Sequence, residues 1–267
     1  MDELTTQSKN KTKANTQRLA NLVLDMATYL LASGAHCGRV NRNINRMANV
    51  WGFDVHLHLT FKGVLTTIID RQNPENVVTR YRETPTHSIH LNILSEISAL
   101  SWRVHDERLD LAEVEELYQE IKGLKSYSTL TVALAIATSC AGLCLFSFGD
   151  YKNAFVAFVA AFAGYLVRAF MSKKKYNTII FITAAAFTTT FITGLAAKFG
   201  IGGAPEAAIA TAVLYLIPGV PLINSVIDLI EGYTSSSINR MLFSGFTLLC
   251  IAAGMTLCIA LIGIQNF

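Results

Sequence analysis

Asp228 and Glu231 stand three residues apart, a spacing that puts both carboxylates on one helical face, where they can exchange protons or balance a cation. Immediately upstream runs Tyr-Leu-Ile-Pro-Gly-Val-Pro-Leu-Ile-Asn, residues 215–224. Pro218 and Pro221 lack a backbone N–H, and their rings crowd the carbonyl four residues back. The expectation is that the carbonyls of Leu214 and Ile217 are freed, and that Ile217 and Val220 are held away from helical angles. In hydrocarbon a freed carbonyl costs several kcal/mol, so such a break at membrane depth belongs against protein or a wet cavity. Pro218, Gly219, Pro221, Asn224, Asp228, Glu231 and Arg240 are therefore candidates for a substrate or ion pathway. Thr189 and Thr193 join them as hydroxyls of an upstream apolar segment.

Each candidate also has a structural reading. A straight helix starting at Glu206 ends near residue 226, which leaves Asp228 and Glu231 solvated at the membrane interface. An unwound segment instead holds Asp228 deeper and sets a half-helix end beside a ligand. Arg240 either neutralises an anionic substrate or is an ordinary basic flank. The hydroxyls of Thr183, Thr188, Thr189, Thr190 and Thr193 either bond back to carbonyls of their own helix or wall a polar path. Glu206, with Pro205 before it, reads as a charge at a helix N-terminus.

Other chemistries have less support. His56 and His58 share a strand face and His87 and His90 a helix face, but no acid or cysteine completes a metal site at a diagnostic interval, so no metal and no cofactor is expected. Cys140, Cys144, Cys250 and Cys258 lie in apolar runs and Cys37 stands alone, without C-x-x-C or disulfide-like spacing. There is no G-x-S-x-G, P-loop lysine motif or G-x-G-x-x-G, so neither a hydrolase nor an ATP-driven pump is indicated, and no catalytic residue is assigned. The net charge of +3 comes with no basic stripe interleaved with aromatics, which sets nucleic acid aside as a partner.

The elements that must position these residues divide the chain. It is 52% hydrophobic and 15% charged, with a mean hydropathy of +0.39, too apolar for an ordinary soluble domain of 267 residues. Residues 1–125 hold 15 basic and 15 acidic residues; residues 126–267 hold 7 and 4. The first half is predicted as a disordered polar tail (1–15) and a small cytoplasmic α+β domain (16–125). Its helices fall near 16–33 and 38–50, its strands at 53–61, 64–69 and 76–82, and its closing helices near 87–104 and 110–124. The period-two run from Phe53 to Phe61 and the helical spacing of Leu19, Leu22, Val23, Met26 and Leu30 carry this assignment. Asp110 is the expected N-cap of the last helix.

The second half is predicted as an α-helical integral membrane domain of five spans, near 127–148, 153–171, 177–197, 206–226 and 241–263. Ala157 with Ala161, and Ala160 with Gly164, make the second span a helix-packing element. Arg168, near its end, is expected to snorkel to the headgroups. Lys173, Lys174 and Lys175 mark a cytoplasmic loop. That places the N-terminal domain in the cytoplasm, the segment 228–240 as a cytoplasmic return and the C-terminus on the outer face. The polar residues 1–18 hold no signal peptide core.

The motifs Ser33-Gly34-Ala35 with Arg39-Val40, Ile44, Arg46-Met47-Ala48 and Gly52, together with residues 216–224 and Asp228-Leu229-Ile230, resemble the threonine/serine exporter family. The resemblance covers nearly the whole chain after the tail. It implies gradient-driven export of small hydrophilic metabolites across the inner membrane: threonine and serine, or a dicarboxylate such as succinate. Single-chain members carry a second membrane module. The resemblance is therefore to the larger subunit of split two-component exporters, with a separate small membrane partner or a homo-oligomer implied. The alternative is a membrane-anchored sensor or scaffold whose cytoplasmic domain binds a ligand.

Overall fold

In this computed structural model, residues 2–85, 89–124 and 127–263 are described, residues 2–14 as backbone only. They form two compact units: Met1–Lys125 with Val220–Met241, and Ser126–Gly219 with Leu242–Phe267. The segment 220–241, assigned from sequence to the membrane domain, thus packs with the N-terminal residues.

In the first unit α1 (Asp2–Ala32) starts well before the Thr16 boundary expected from periodicity, its backbone helical through the polar residues 2–15. It ends at Gly34, whose φ of 99° only glycine adopts freely. α2 (Cys37–Val50) follows, with the His36 side chain capping it by accepting from the Arg39 N–H. β1 (Phe53–Leu59), β2 (Gly63–Asp70) and β3 (Val77–Glu83) form an antiparallel meander in the order β1-β2-β3. The predicted alternation holds: Val55, Leu59, Val64 and Ile68 are buried, whereas His56 and His58 are exposed. α1 lies on β2 and β3, and α2 on β1. α3 (Leu91–Glu107) packs on α2 and α4 (Leu111–Lys122) on α3. Asp110 caps α4 in a capping box with Glu113, as its spacing predicts. His87 lies outside the described residues.

The second unit holds α5 (Thr129–Phe146), α6 (Tyr151–Lys173), α7 (Thr178–Lys198), α8 (Pro205–Ala212), the 3-10 turn Leu214–Leu216 and most of α10 (Thr234–Ile262). Ala157, Ala160 and Ala161 are fully buried on α6, the close approach that small-x-x-x-small spacing predicts. Among the described residues four helices are long and apolar enough to cross a membrane, or five if the broken pair formed by α8 and α9 (Gly219–Ile230) is one span.

The break falls at Pro218, inside the fourth span expected near 206–226, where the prolines predict one. Ile217 is extended (φ −64°, ψ 126°), as Pro218 requires. The carbonyls are not left free. Leu214 C=O accepts from the Ile217 N–H at 3.1 Å and Ile217 C=O from the Gly219 N–H at 2.8 Å. Val220 is helical, contrary to expectation, because Pro221 falls in the first turn of α9, where no partner for its missing N–H is needed. The predicted return loop 228–240 is likewise mostly helix: only residues 231–233 separate α9 from α10, turned by Gly232 at φ 84°.

Candidate functional site

The residues picked from sequence fall into two clusters, one in each unit. In the first unit, α9 and the start of α10 grip the turn between α1 and α2 with polar side chains. Asn224 Nδ2 donates to Gly34 C=O at 2.7 Å, and Arg240 Nη2 to Ala35 C=O at 2.8 Å. The Cys37 N–H donates to Asp228 Oδ1 at 2.7 Å. The α1–α2 turn places two carbonyls and one first-turn amide where no helix partner exists for them, so these three side chains satisfy backbone groups that would otherwise be stranded.

Asp228 is 0% exposed and Arg240 4%. Arg240 Nε lies 3.0 Å from Asp228 Oδ2, yet neither atom makes a well-directed hydrogen bond. The pair is a close charge contact held by flanking hydrogen bonds rather than by its own alignment. Ser237 Oγ donates to Ser225 C=O at 2.6 Å, tying α10 to α9, and Ser236 Oγ to Leu59 C=O at 2.7 Å, tying α10 to β1.

Glu231 reaches the same turn from the end of α9. Arg42 Nη1 donates to Oε1 at 2.8 Å, and His36 Nδ1 lies 3.1 Å from Oε2. Gly38 makes room for it, since a Cβ there would strike the carboxylate. Burial pushes the Glu231 pKa up, but the Arg42 hydrogen bond and the His36 charge outweigh it, so the net shift is downward. The Cys37 thiol is pushed up to about 11, chiefly by burial.

His36, Asp228 and Glu231 bring ligand-capable atoms within 4.8 Å of one another. Their lone pairs already face Arg240, Arg42 and the Cys37 N–H. A divalent cation would have to displace two arginines, so the set fits an ion-pair network better than a metal site.

Thr189 and Thr193 belong to the second unit, both buried on α7. Thr189 Oγ1 donates to Ala185 C=O at 2.9 Å and Thr193 Oγ1 to Thr190 C=O at 3.1 Å, the back-bonding pattern. Thr189 has a second partner, the Tyr215 hydroxyl at 3.2 Å. Pro218 and Gly219 close this unit's part of the break, while Pro221 sits in the first turn of α9. Sequence reasoning missed the grip of Cys37, Ala35 and Gly34 on Asp228, Arg240 and Asn224. The one available signal was that both ends of this contact belong to the same small set of distinctive motifs.

Over residues 21–262 the chain matches the family model described as "Putative threonine/serine exporter". A "Probable succinate transporter subunit YjjP" of Klebsiella aerogenes is 26% identical over 258 residues, 96% of this chain and 98% of that protein. The protein of the same name in Escherichia coli K12 is 26% identical over 252 residues, covering 93% and 96%. A "Threonine/serine exporter" of Corynebacterium glutamicum is 23% identical over 250 residues, which is 89% of this chain but 50% of that protein. No solved structure matches the chain.

Proposed function

Because the chain belongs to the threonine/serine exporter family and is a multi-pass membrane protein, we propose that it is the larger subunit of a secondary exporter. The cargo is a small carboxylate, succinate or threonine and serine. An ion gradient drives it, and a separate small membrane protein completes it. Support for the subunit reading comes from the two relatives named as succinate transporter subunits, which align along almost their whole length, and from the exporter of which this chain matches half. Membership of a transporter family implies transport rather than catalysis. Lys173, Lys174 and Lys175 favour an orientation with the N-terminal unit in the cytoplasm and the C-terminus on the outer face of the inner membrane.

The observation that carries the reading is the broken helix pair. α8 stops, Ile217 is extended, and α9 restarts to carry Asn224, Asp228 and Glu231, the discontinuous-helix pattern that transporters use at binding and gating positions. In this reading Asp228 and Arg240 set the position of α9.

The test is reconstitution in proteoliposomes, with and without a small membrane protein of the kind proposed as its partner, following gradient-dependent efflux of labelled succinate, threonine and serine. Flux of one of them that needs both chains is the expected result. No flux of any, with both chains inserted, overturns it and favours a membrane-anchored sensor.

A further inference from the structure

We propose that Arg168, with the Tyr215 hydroxyl and its partner Thr189, forms a carboxylate-binding subsite among the membrane helices of the second unit. The proposal rests on the transport reading above and names the group on the cargo that is recognised.

Arg168 stands on α6 five residues before Lys173. Arg168 is half-buried there, not fully turned to lipid. It lies one turn, about 6 Å, beyond Gly164 on the same face, and that face carries the buried Ala157, Ala160 and Gly164. The lipid-type side chains of α6 are elsewhere: Phe155 is 68% exposed and Phe170 60%.

Gly164 is where α6 meets the hydroxyl pair. A Cβ there would strike both Thr189 Oγ1 and the Tyr215 hydroxyl. Arg168 follows one turn further along this face of α6. The Tyr165 ring meets that of Tyr215 edge-on at 6.3 Å and fixes its direction.

Among the described residues no carboxylate pairs with the arginine. Among the described residues of this unit the acids are Asp150 and Glu206. Asp150 caps the far end of α6, about 27 Å away along the axis, and accepts from the Gly203 N–H at 2.9 Å. Glu206 lies in the first turn of α8. No ion pair involves Arg168 among the described residues. A cation on a packed face of a membrane helix without a counter-ion is a site for an anion.

The geometry selects a carboxylate. A guanidinium offers a planar fork that takes both oxygens, and Tyr215, whose O–H is otherwise spent on Thr189, can turn to the anion. Thr189 is a positioning residue, because its own proton goes to Ala185 C=O. Tyr215 also lines a groove of about 560 Å³ with Thr131, Ser139 and Cys140.

The test is equilibrium binding of labelled succinate and labelled serine to the purified full chain in nanodiscs, beside the efflux assay. Arg168→Gln is expected to weaken binding at least tenfold, Arg168→Lys by a smaller factor and Tyr215→Phe several-fold. The uncharged diamide of succinate should not compete. Variants are scored only where gel filtration and circular dichroism match the parent chain. Unchanged binding in Arg168→Gln, or competition by the diamide as strong as by succinate, overturns the subsite, as does failure of the parent chain to bind either carboxylate. The two readings fail separately: binding without flux sinks transport and leaves the subsite, while normal flux in Arg168→Gln sinks the subsite and leaves transport.

Discussion

Asp228 Oδ2 and Arg240 Nε lie 3.0 Å apart, one on α9 and the other on α10, both buried, and each also holds a backbone group of the α1–α2 turn. The pair is therefore a three-way joint. Asp228 satisfies the Cys37 N–H, Arg240 satisfies Ala35 C=O, and their charges cancel between the two helices. A buried ion pair is weak evidence for net stability, but one deprived of a partner is strongly destabilised.

That asymmetry predicts a double-mutant cycle. Asp228→Ala or Arg240→Ala alone should cost about 3–5 kcal/mol, because each strands a buried charge. The double variant should cost clearly less than the sum, since neither charge is left. Unfolding of the detergent-solubilised chain measures all four corners. Additive costs would show that the two residues act independently and that the joint does not exist.

Cys37 reports on the same joint. Its thiol is fully buried and pushed up to about 11, so at pH 7.5 it is protonated and shielded, and maleimide should label it very slowly. Asp228→Ala removes the acceptor of the Cys37 N–H and should raise the labelling rate at least tenfold. The other four cysteines are also buried and supply a low background. Fast labelling of Cys37 in the parent chain would contradict the closed turn.

The sequence carried local structure well and distant pairing poorly, for a physical reason. Alternation from Phe53 to Leu59 and the Asp110 cap are read within one strand or one turn, and both stand in the structure. The proline break is also local, but its detail is not. Whether Pro221 disrupts a helix or starts one depends on where the helix restarts, and α9 restarts at Gly219. The pairing of Asp228 with Cys37 spans 191 residues and leaves no periodic trace. A buried aspartate with a distant amide has the same local sequence as a solvated one. Tyr215 was visible as part of the broken stretch, but its hydroxyl contact with Thr189 required the fold.

Glu231 gives a pH prediction with a definite sign. Its folded pKa lies below the ordinary 4.5, because Arg42 and His36 outweigh the upward push of burial. A carboxylate with a depressed folded pKa adds stability that is fully present above the unfolded value and fades as the pH falls through the folded one. The chain should therefore lose stability below about pH 4.5, and Glu231→Gln should remove part of that loss while lowering stability at pH 7. Melting curves between pH 3 and 7 measure both. An identical acid dependence in parent and variant would show that the Arg42 contact contributes nothing in solution.

Pro218 and Pro221 should not behave alike, although they stand three residues apart in one motif. Pro218 follows the extended Ile217 and separates the 3-10 turn from α9, so Pro218→Ala permits helical angles across the break. Pro221 sits inside the first turn of α9, where its missing N–H has no helical partner to lose, and Pro221→Ala leaves that geometry available. If the break positions α9, Pro218→Ala should reduce efflux at least tenfold at normal membrane levels, while Pro221→Ala changes it less than threefold. Amide hydrogen exchange over residues 213–222 gives the structural check, with added protection expected in Pro218→Ala alone. Equal effects of the two variants on flux and exchange would mean that the break is incidental and that only the apolar length of the segment matters.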